Sequence, residues 1–190
     1  AIVILFASRV FSEANFLKNE GFELIGPGGW FDYDFGKEFE REWRSPGQFH
    51  SGYYSLKLRA AGKTDDPNKW EMTGAKQIVR VRPGNIIDGG AWLKWQDLNN
   101  VEVYVECKWL DENKKELGSG IGTVHKTSGS GDWQYQNLSM WNRGERTAPA
   151  GASYVDFRLN ILSAGKADIA SGTVWWDDAQ LTITKSEGNI

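Results

Sequence analysis

Apolar and polar residues alternate along much of the chain, which is typical of strands that bury one face. The clearest run is Val101–Leu110, whose apolar members fall on one side: Val101, Val103, Val105, Cys107 and Trp109. Residues 154–161 repeat the pattern, with Val155, Phe157, Leu159 and Ile161 on one side. The other row of each run faces solvent or a partner. Residues 55–59 and 77–82 predict two further strands.

Turn-forming clusters rich in Gly, Pro, Asn and Asp separate these runs, and no long segment has a helical period. Short strands with one apolar face are most simply buried by two sheets packed face to face. The pattern therefore predicts an all-β chain, a jelly-roll β-sandwich of two antiparallel sheets with an extra N-terminal apolar strand.

The first residues break the alternation, because residues 1–7 (AIVILFA) are apolar on both faces. Such a strand requires burial on both sides. Three interpretations stay open: the remnant of a secretory signal, an extra strand within the same sandwich, or a strand that completes the sheet of a neighbouring subunit. The third interpretation predicts an interface made by Ile2, Val3, Ile4, Leu5, Phe6, Val10 and Phe11. We accordingly divide the chain into an N-terminal segment, 1–14, and a jelly-roll domain, 15–190.

Composition narrows the classes of function. The 190 residues carry a formal net charge of -3, with one Cys and two His. Without a basic excess, a nucleic-acid surface is not expected. The longest apolar run, seven residues, is far short of the roughly twenty that a membrane helix needs, so membrane insertion is not expected either. No Gly-x-Ser-x-Gly, His-Glu-x-x-His or phosphate-loop motif is present, which predicts a protein that is not an enzyme.

Eight short segments stand out along the chain: NFLKNEGFE at 15–23, SGYYSLKL at 51–58, QIVRVRPG at 77–84, GAWLK at 90–94, 103–111, GDW at 131–133, APAGASYV at 148–155 and WWDDAQL at 175–181. Together and in this order, they resemble the jelly-roll carbohydrate-binding modules of the group that contains families four, nine, sixteen and twenty-two. The resemblance implies the sandwich fold. It says less about function, which depends on the site.

The resemblance also implies a structural calcium ion. In such modules a calcium ion lies near the ends of the first and last strands, which here points to Glu23 and Asp178, with Asp177 as a substitute. Backbone carbonyls of Gly21, His50 and Tyr53 would complete the set. Mixed carboxylate and carbonyl oxygen suits calcium better than zinc.

Glycan binding is the other expectation from the resemblance. Aromatic rings would stack on sugars while polar side chains of a concave sheet bind the hydroxyl groups. The candidates are Trp43, Trp70, Trp95, Trp141, Tyr104, Glu102 and Arg158, with Trp30 as a further ring. Trp92, Trp109, Trp133 and Trp176 stand in motif positions that favour the core.

Two functions follow from these observations. If these 190 residues are the whole mature protein, it carries no enzyme for a binding module to serve. Because the first strand is also apolar on both faces, the main prediction is a secreted, extracellular structural subunit. It would bind copies of itself head to tail through residues 1–11, forming a calcium-stabilised filament or tube. The alternative is a glycan-binding module of a polysaccharide-degrading system, with polysaccharide as the partner.

Overall fold

The computed structural model describes residues 14–36, 39–61, 70–138, 145–163 and 169–185, except for the side chain of Ser119. These residues form ten strands and no α-helix. The strands are β1 (Phe31–Asp32), β2 (Glu40–Pro46), β3 (Tyr54–Ala61), β4 (Met72–Arg80), β5 (Asn85–Asn99), β6 (Val101–Leu110), β7 (Glu116–Gly122), β8 (Gly129–Asn137), β9 (Tyr154–Ser163) and β10 (Ser171–Lys185).

The strands form two antiparallel sheets of five. The front sheet has the order β1-β4-β9-β6-β7, and the back sheet has the order β2-β3-β10-β5-β8. Neighbours in each sheet are mostly distant in sequence; β9, for example, lies between β4 and β6. The predicted jelly-roll β-sandwich of two antiparallel sheets is therefore confirmed.

The core lies between the sheets and is built from alternate residues of each strand. The inner row of β9 consists of Val155, Phe157, Leu159 and Ile161, all fully buried, as the sequence predicts. The inner row of β6 is equally buried, from Val101 to Trp109. In the back sheet, Leu58 and Trp176 face them. The apolar pattern of these strands thus reports the packing of one sheet on the other.

The outer row of β9 differs from the prediction that it would meet solvent or a partner. Asp156, Arg158 and Asn160 point away from the core, yet they are 1%, 5% and 0% exposed. β9 is the central strand of the front sheet, and the half-buried Tyr33 before β4 lies against Arg158. The middle of the outer face is therefore the floor of a groove.

The predicted N-terminal strand and its interface residues, Ile2 to Phe11, lie outside the described residues, so the division of the chain at residue 14 stays a prediction. Among the residues that the structure describes, none forms a helix long and apolar enough to cross a membrane.

Removal of a side chain from the centre of the core tests the packing. We expect Leu159→Ala to lower the free energy of unfolding by about 2–5 kcal/mol, because the cavity adds to the lost burial. Val124→Ala is the control, since Val124 is 46% exposed and should change stability by about 0.5 kcal/mol or less. Urea unfolding of both variants measures the difference, and equal costs would contradict the assigned core.

Candidate functional site

A groove runs over the outer face of the front sheet, along β6 and β7. Its cavity of about 160 Å³ is lined by Glu102, Tyr104, Glu106, Gly120, Ile121, Gly122 and His125. Gly120 and Gly122 add no side chains to it, which keeps the β7 side open. The lining is mainly polar, with aromatic rings at one point.

The aromatic part of the groove is a stack of Tyr104 on His125. Their ring centroids are 4.1 Å apart and their planes 16° from parallel. His125 reaches this position because the chain after β7 continues beside β6, where Lys126 and Val103 exchange two backbone hydrogen bonds. His125 Nδ1 also lies 2.7 Å from Glu102 Oε2. The Glu102 carboxylate thus fixes the position of the His125 imidazole, and the imidazole packs against the ring of Tyr104.

The floor beside this stack is an ion-pair network centred on Arg158. Its guanidinium donates to Asp156 Oδ2 at 2.7 and 3.0 Å, to Glu116 Oε1 at 2.9 Å and to the Tyr33 hydroxyl at 3.0 Å. The Tyr33 ring also lies under this guanidinium, at 4.6 Å, and under Lys76 Nζ, at 5.0 Å. The cations of Arg158 and Lys76 and the acids Asp156 and Glu116 therefore lie together beside the Tyr104–His125 stack.

Burial and charge set the protonation states of these groups. Burial, followed by the charges of Glu106 and Glu102, raises the pKa of Tyr104 well above its usual value. Burial alone would lower the pKa of Arg158, but the hydrogen bonds and charge of Asp156 raise it instead. At neutral pH the groove thus offers a protonated phenol as a donor and carboxylates as acceptors, while the charged guanidinium stays paired with its acids.

The predicted aromatic platforms are distributed differently from the prediction. Trp30 and Trp95 are 2% and 8% exposed and belong to the core, and Trp43 packs against the core with the Arg41 guanidinium 4.8 Å from its ring. Trp70 is 51% exposed and lies two residues before β4. Trp141 lies outside the described residues. Of the predicted set, Glu102 and Tyr104 line the groove, and Arg158 lies beside it, 3.5 Å from the lining residue Glu106.

Two tryptophans assigned to the core by their motif positions lie elsewhere. Trp109 and Trp176 are buried as expected, but Trp92 and Trp133 are half-buried on the outer face of the back sheet. The His50 ring stacks on Trp92, with centroids 3.8 Å apart, and meets Trp133 edge-on at 5.8 Å. Strand alternation decides this, because Trp92 lies between the buried Ala91 and Leu93.

The predicted calcium ligands meet at one end of the sandwich. Glu23 Oε1 accepts hydrogen bonds from the backbone N–H groups of Tyr53 and Tyr54, at 2.8 and 3.1 Å. Asp177 Oδ2 accepts from the N–H groups of His50 and Ser51, at 2.7 and 3.1 Å. A bulge in β10 between Asp177 and Gln180 turns both aspartates toward these loops.

Gly21 lies among the three acids. A Cβ atom built there would lie 3.5 Å from Asp178 Oδ1, 3.6 Å from Asp177 Oδ1 and 3.8 Å from Glu23 Cγ. Burial raises the pKa of Asp177 to about 6, and repulsion by Asp178 adds to this, although the N–H groups of His50 and Ser51 oppose it. A cation would offset the negative charge that these acids bring together.

The chemistry of this acidic end fits calcium, because its donors are hard oxygens. Several of them already hold other partners: Asp178 Oδ2 lies 2.6 Å from His50 Nδ1, and its Oδ1 accepts from the Ser51 hydroxyl at 2.8 Å. Among the described residues, no three acidic, imidazole or thiol groups form a ready metal cluster. Calcium would have to replace some of these hydrogen bonds.

Sequence reasoning missed His125, Tyr33 and Glu116 as parts of the groove. Each of them comes from a loop or an edge strand, where no periodic pattern marks a residue as facing the groove. Tyr33 could have been suspected only from its position in an aromatic segment, 30–35, that also supplies β1.

Comparison with known proteins gives structural matches only. No protein-family model and no curated protein sequence matches the chain. Among solved structures, the enzymatically active domain of tailspike protein 4 from bacteriophage CBA120 superposes with a TM-score of 0.61 at 15% identity, over 90% of this chain. The chain spans 21% of that tailspike structure.

Two carbohydrate-binding modules match over almost their whole length. A family-61 module in complex with β-1,4-galactotriose has a TM-score of 0.54 at 16% identity, covering 91% of this chain and 99% of the module. The CBM22-1 xylan-binding domain from Paenibacillus barcinonensis has a TM-score of 0.57 at 14% identity, covering 92% of this chain and 97% of the domain. The chain therefore has the fold of these modules, as its motifs predicted.

These matches contradict the main functional prediction, a filament or tube subunit. The solved structures that share the fold over their full length are glycan-binding modules, which favours the alternative. The residues predicted to join subunits, Ile2, Val3, Ile4, Leu5, Phe6, Val10 and Phe11, lie outside the described residues. The error came from giving a both-face apolar strand more weight than the folded domain.

The ion pair beneath the groove can be tested by removing one partner. We expect Asp156→Ala to lower the free energy of unfolding by about 3–5 kcal/mol, because the buried Arg158 loses its main counter-charge. The double change Asp156→Leu with Arg158→Met should recover most of this loss, since it leaves no buried charge.

The control is Asp132→Ala, which breaks the exposed pair with Lys94 and should leave the urea midpoint almost unchanged. If Asp156→Ala were as mild as this control, the pair would not be an essential part of the groove floor.

Proposed function

We propose that this chain is a non-catalytic glycan-binding module that acts outside the cell, and that its ligand lies in the groove on the front sheet. The observation that carries this proposal is the Tyr104–His125 stack set among carboxylates in an open cavity of about 160 Å³. A sugar ring has apolar C–H faces and an edge of hydroxyl groups, so it needs both ring and polar partners.

The donors and acceptors of the groove match the hydroxyl groups of such a ligand. Each hydroxyl donates one hydrogen bond and accepts others. Glu102 and Glu106 supply acceptors, and the Tyr104 hydroxyl, with its raised pKa, supplies a donor. Arg158 holds Glu116 in place beside them. Since charged partners roughly double the strength of a hydrogen bond, a few such contacts orient a weakly stacked sugar.

The carboxylates of the groove are engaged with neighbouring cations and the imidazole, which supports binding over hydrolysis. Glu106 lies 3.5 Å from the Arg158 guanidinium and 3.1 Å from Lys108 Nζ. Glu102 Oε2 lies 2.7 Å from His125 Nδ1. Asp156 and Glu116 both accept hydrogen bonds from Arg158, so they are held as counter-ions.

Affinity electrophoresis on soluble xylan, β-1,4-galactan, β-glucan and mannan tests this function, followed by titration with xylohexaose or β-1,4-galactotriose. We expect at least one polysaccharide to retard the chain. Tyr104→Ala should weaken its binding at least tenfold, which corresponds to about 1.4 kcal/mol, because the stacked ring is lost.

Tyr53→Ala is the matched control, since its side chain is 73% exposed and does not line the groove. It should bind like the wild type. Should no polysaccharide retard the folded chain, or should Tyr104→Ala bind normally, the proposed groove site is wrong.

We also propose that a structural calcium ion is held at the acidic end by Glu23, Asp177 and Asp178, with carbonyl oxygens of Gly21, His50 and Tyr53. The three carboxylates that surround Gly21, and the raised pKa of Asp177, support this proposal. A bound ion would tie the 20–23 segment and the 50–54 turn to β10. It would stabilise the folded state by mass action.

Thermal unfolding with calcium and with a chelator tests the ion. We expect calcium to raise the melting temperature of the wild type and to have no effect on Asp178→Ala. Asp132→Ala, which removes an exposed acid far from Gly21 in sequence, should keep the full response. Identical melts of the wild type with and without calcium would remove the site.

A further inference from the structure

The outer face of the back sheet holds a second cavity, on the opposite side of the sandwich from the groove. This trough has a volume of about 240 Å³ and crosses β10, β5 and β8. It is lined by Asp88, Gly89, Tyr135, Asn137, Gln180 and Thr182. None of these residues takes part in the front-sheet groove.

The floor of the trough includes backbone without a side chain, because Gly89 is one of its lining residues and Gly90 follows it in β5. In the register of the back sheet, Gly89 pairs with Leu181, and Gly90 pairs with Gln180 on one side and with Asn137 on the other. A Cβ atom at Gly89 would come within 2.1 Å of the Gln180 carbonyl oxygen, and one at Gly90 within 2.0 Å of the Gln136 carbonyl oxygen. The close approach of the neighbouring strands therefore requires glycine at both positions, and the Tyr135 ring lies beside them.

Aromatic rings continue from one wall of the trough. Tyr135 meets Trp92 edge-on at 5.8 Å, and His50 stacks on the face of Trp92. His50 is itself held by Asp178, 2.6 Å from its Nδ1. Tyr135, Trp92 and His50 thus form a row of rings in mutual contact that continues from this wall.

The other wall is polar and close to neutral. Thr182, Gln180 and Asn137 bring hydroxyl and amide groups, which both donate and accept. The one carboxylate, Asp88, lies 3.2 Å from the guanidinium of Arg146. A ligand for this trough must therefore offer many hydroxyl groups, a face that contacts rings and no net charge.

We propose that this trough is a second binding site for a neutral carbohydrate chain, which lies across Gly89 against Tyr135. The proposal shares with the proposed function only the class of ligand, since no residue is common to the two sites. The two surfaces lie on opposite faces of a sandwich whose sheets pack about 10 Å apart. Together they let one protein molecule join two polysaccharide chains.

Four forms of the chain separate the two sites: the wild type, Tyr104→Ala, Tyr135→Ala and the double variant. The probes are xylohexaose and β-1,4-galactotriose, titrated by calorimetry and by amide chemical shifts of the labelled protein. We expect the wild type to show two sites, and the amides of Gly89 and Gly90 to shift independently of those of Gly120 and Gly122. Each single variant should keep one site, and the double variant none.

Tyr135→Phe is the control for misfolding, because it keeps the aromatic ring. Its affinity at the second site should fall less than tenfold. Gln180→Ala, a substitution at an exposed position, should weaken binding at the trough and leave binding at the groove unchanged. The wild type should increase the light scattering of soluble xylan or β-1,4-galactan, because it joins two chains. Neither Tyr104→Ala nor Tyr135→Ala should do so.

The outcomes are distinct. If the Gly89 and Gly90 amides do not move and Tyr135→Ala binds as the wild type, while Tyr104→Ala abolishes binding, the trough proposal is overturned and the groove stands. If Tyr135→Ala alone abolishes binding, the trough stands and the groove is wrong. If no form binds either probe or scatters with either polysaccharide, both proposals fail.

Discussion

The two-sheet packing of this chain divides each central strand into one row for the core and one row for chemistry. The inner rows of β6 and β9 are apolar and buried except for Ser163 at the end of β9. The other polar side chains of these strands lie on the outer face. Several of these outward side chains line the groove on the front sheet. Residues that form the core and residues available for binding therefore alternate along each strand.

Arg158 makes that outer row compatible with a folded protein. It projects from the central strand beside Asp156, both nearly without exposure, and their pairing offsets the cost of burying each charge. The same guanidinium reaches Tyr33 and Glu116, which come from the two edges of the front sheet. One side chain thus links the walls of the groove to its floor, and the groove has its shape before any ligand arrives.

The back sheet follows the same alternation but uses glycine and aromatic rings instead of ion pairs. Gly89 and Tyr135 line the trough, and the ring contacts continue from Tyr135 to Trp92 and His50. His50 also contacts Asp178 at the acidic end. The His50 imidazole therefore connects the acidic end, through Asp178, to the ring of Trp92. The two outer faces differ in chemistry although they share one core.

By itself the sequence determined the all-β class, the two-sheet sandwich and the inner rows of β6 and β9, because alternation is local and the core requires it. The resemblance of its motifs also brought Glu23, Asp177 and Asp178 to one end. Only the tertiary structure decided which tryptophans are buried: Trp95 turned inward, while Trp92 turned outward. It also placed His125 on Tyr104 and the trough at Gly89. These positions depend on which strands become neighbours and which loops cover them, and pairing between residues far apart in the chain leaves no periodic trace in the sequence.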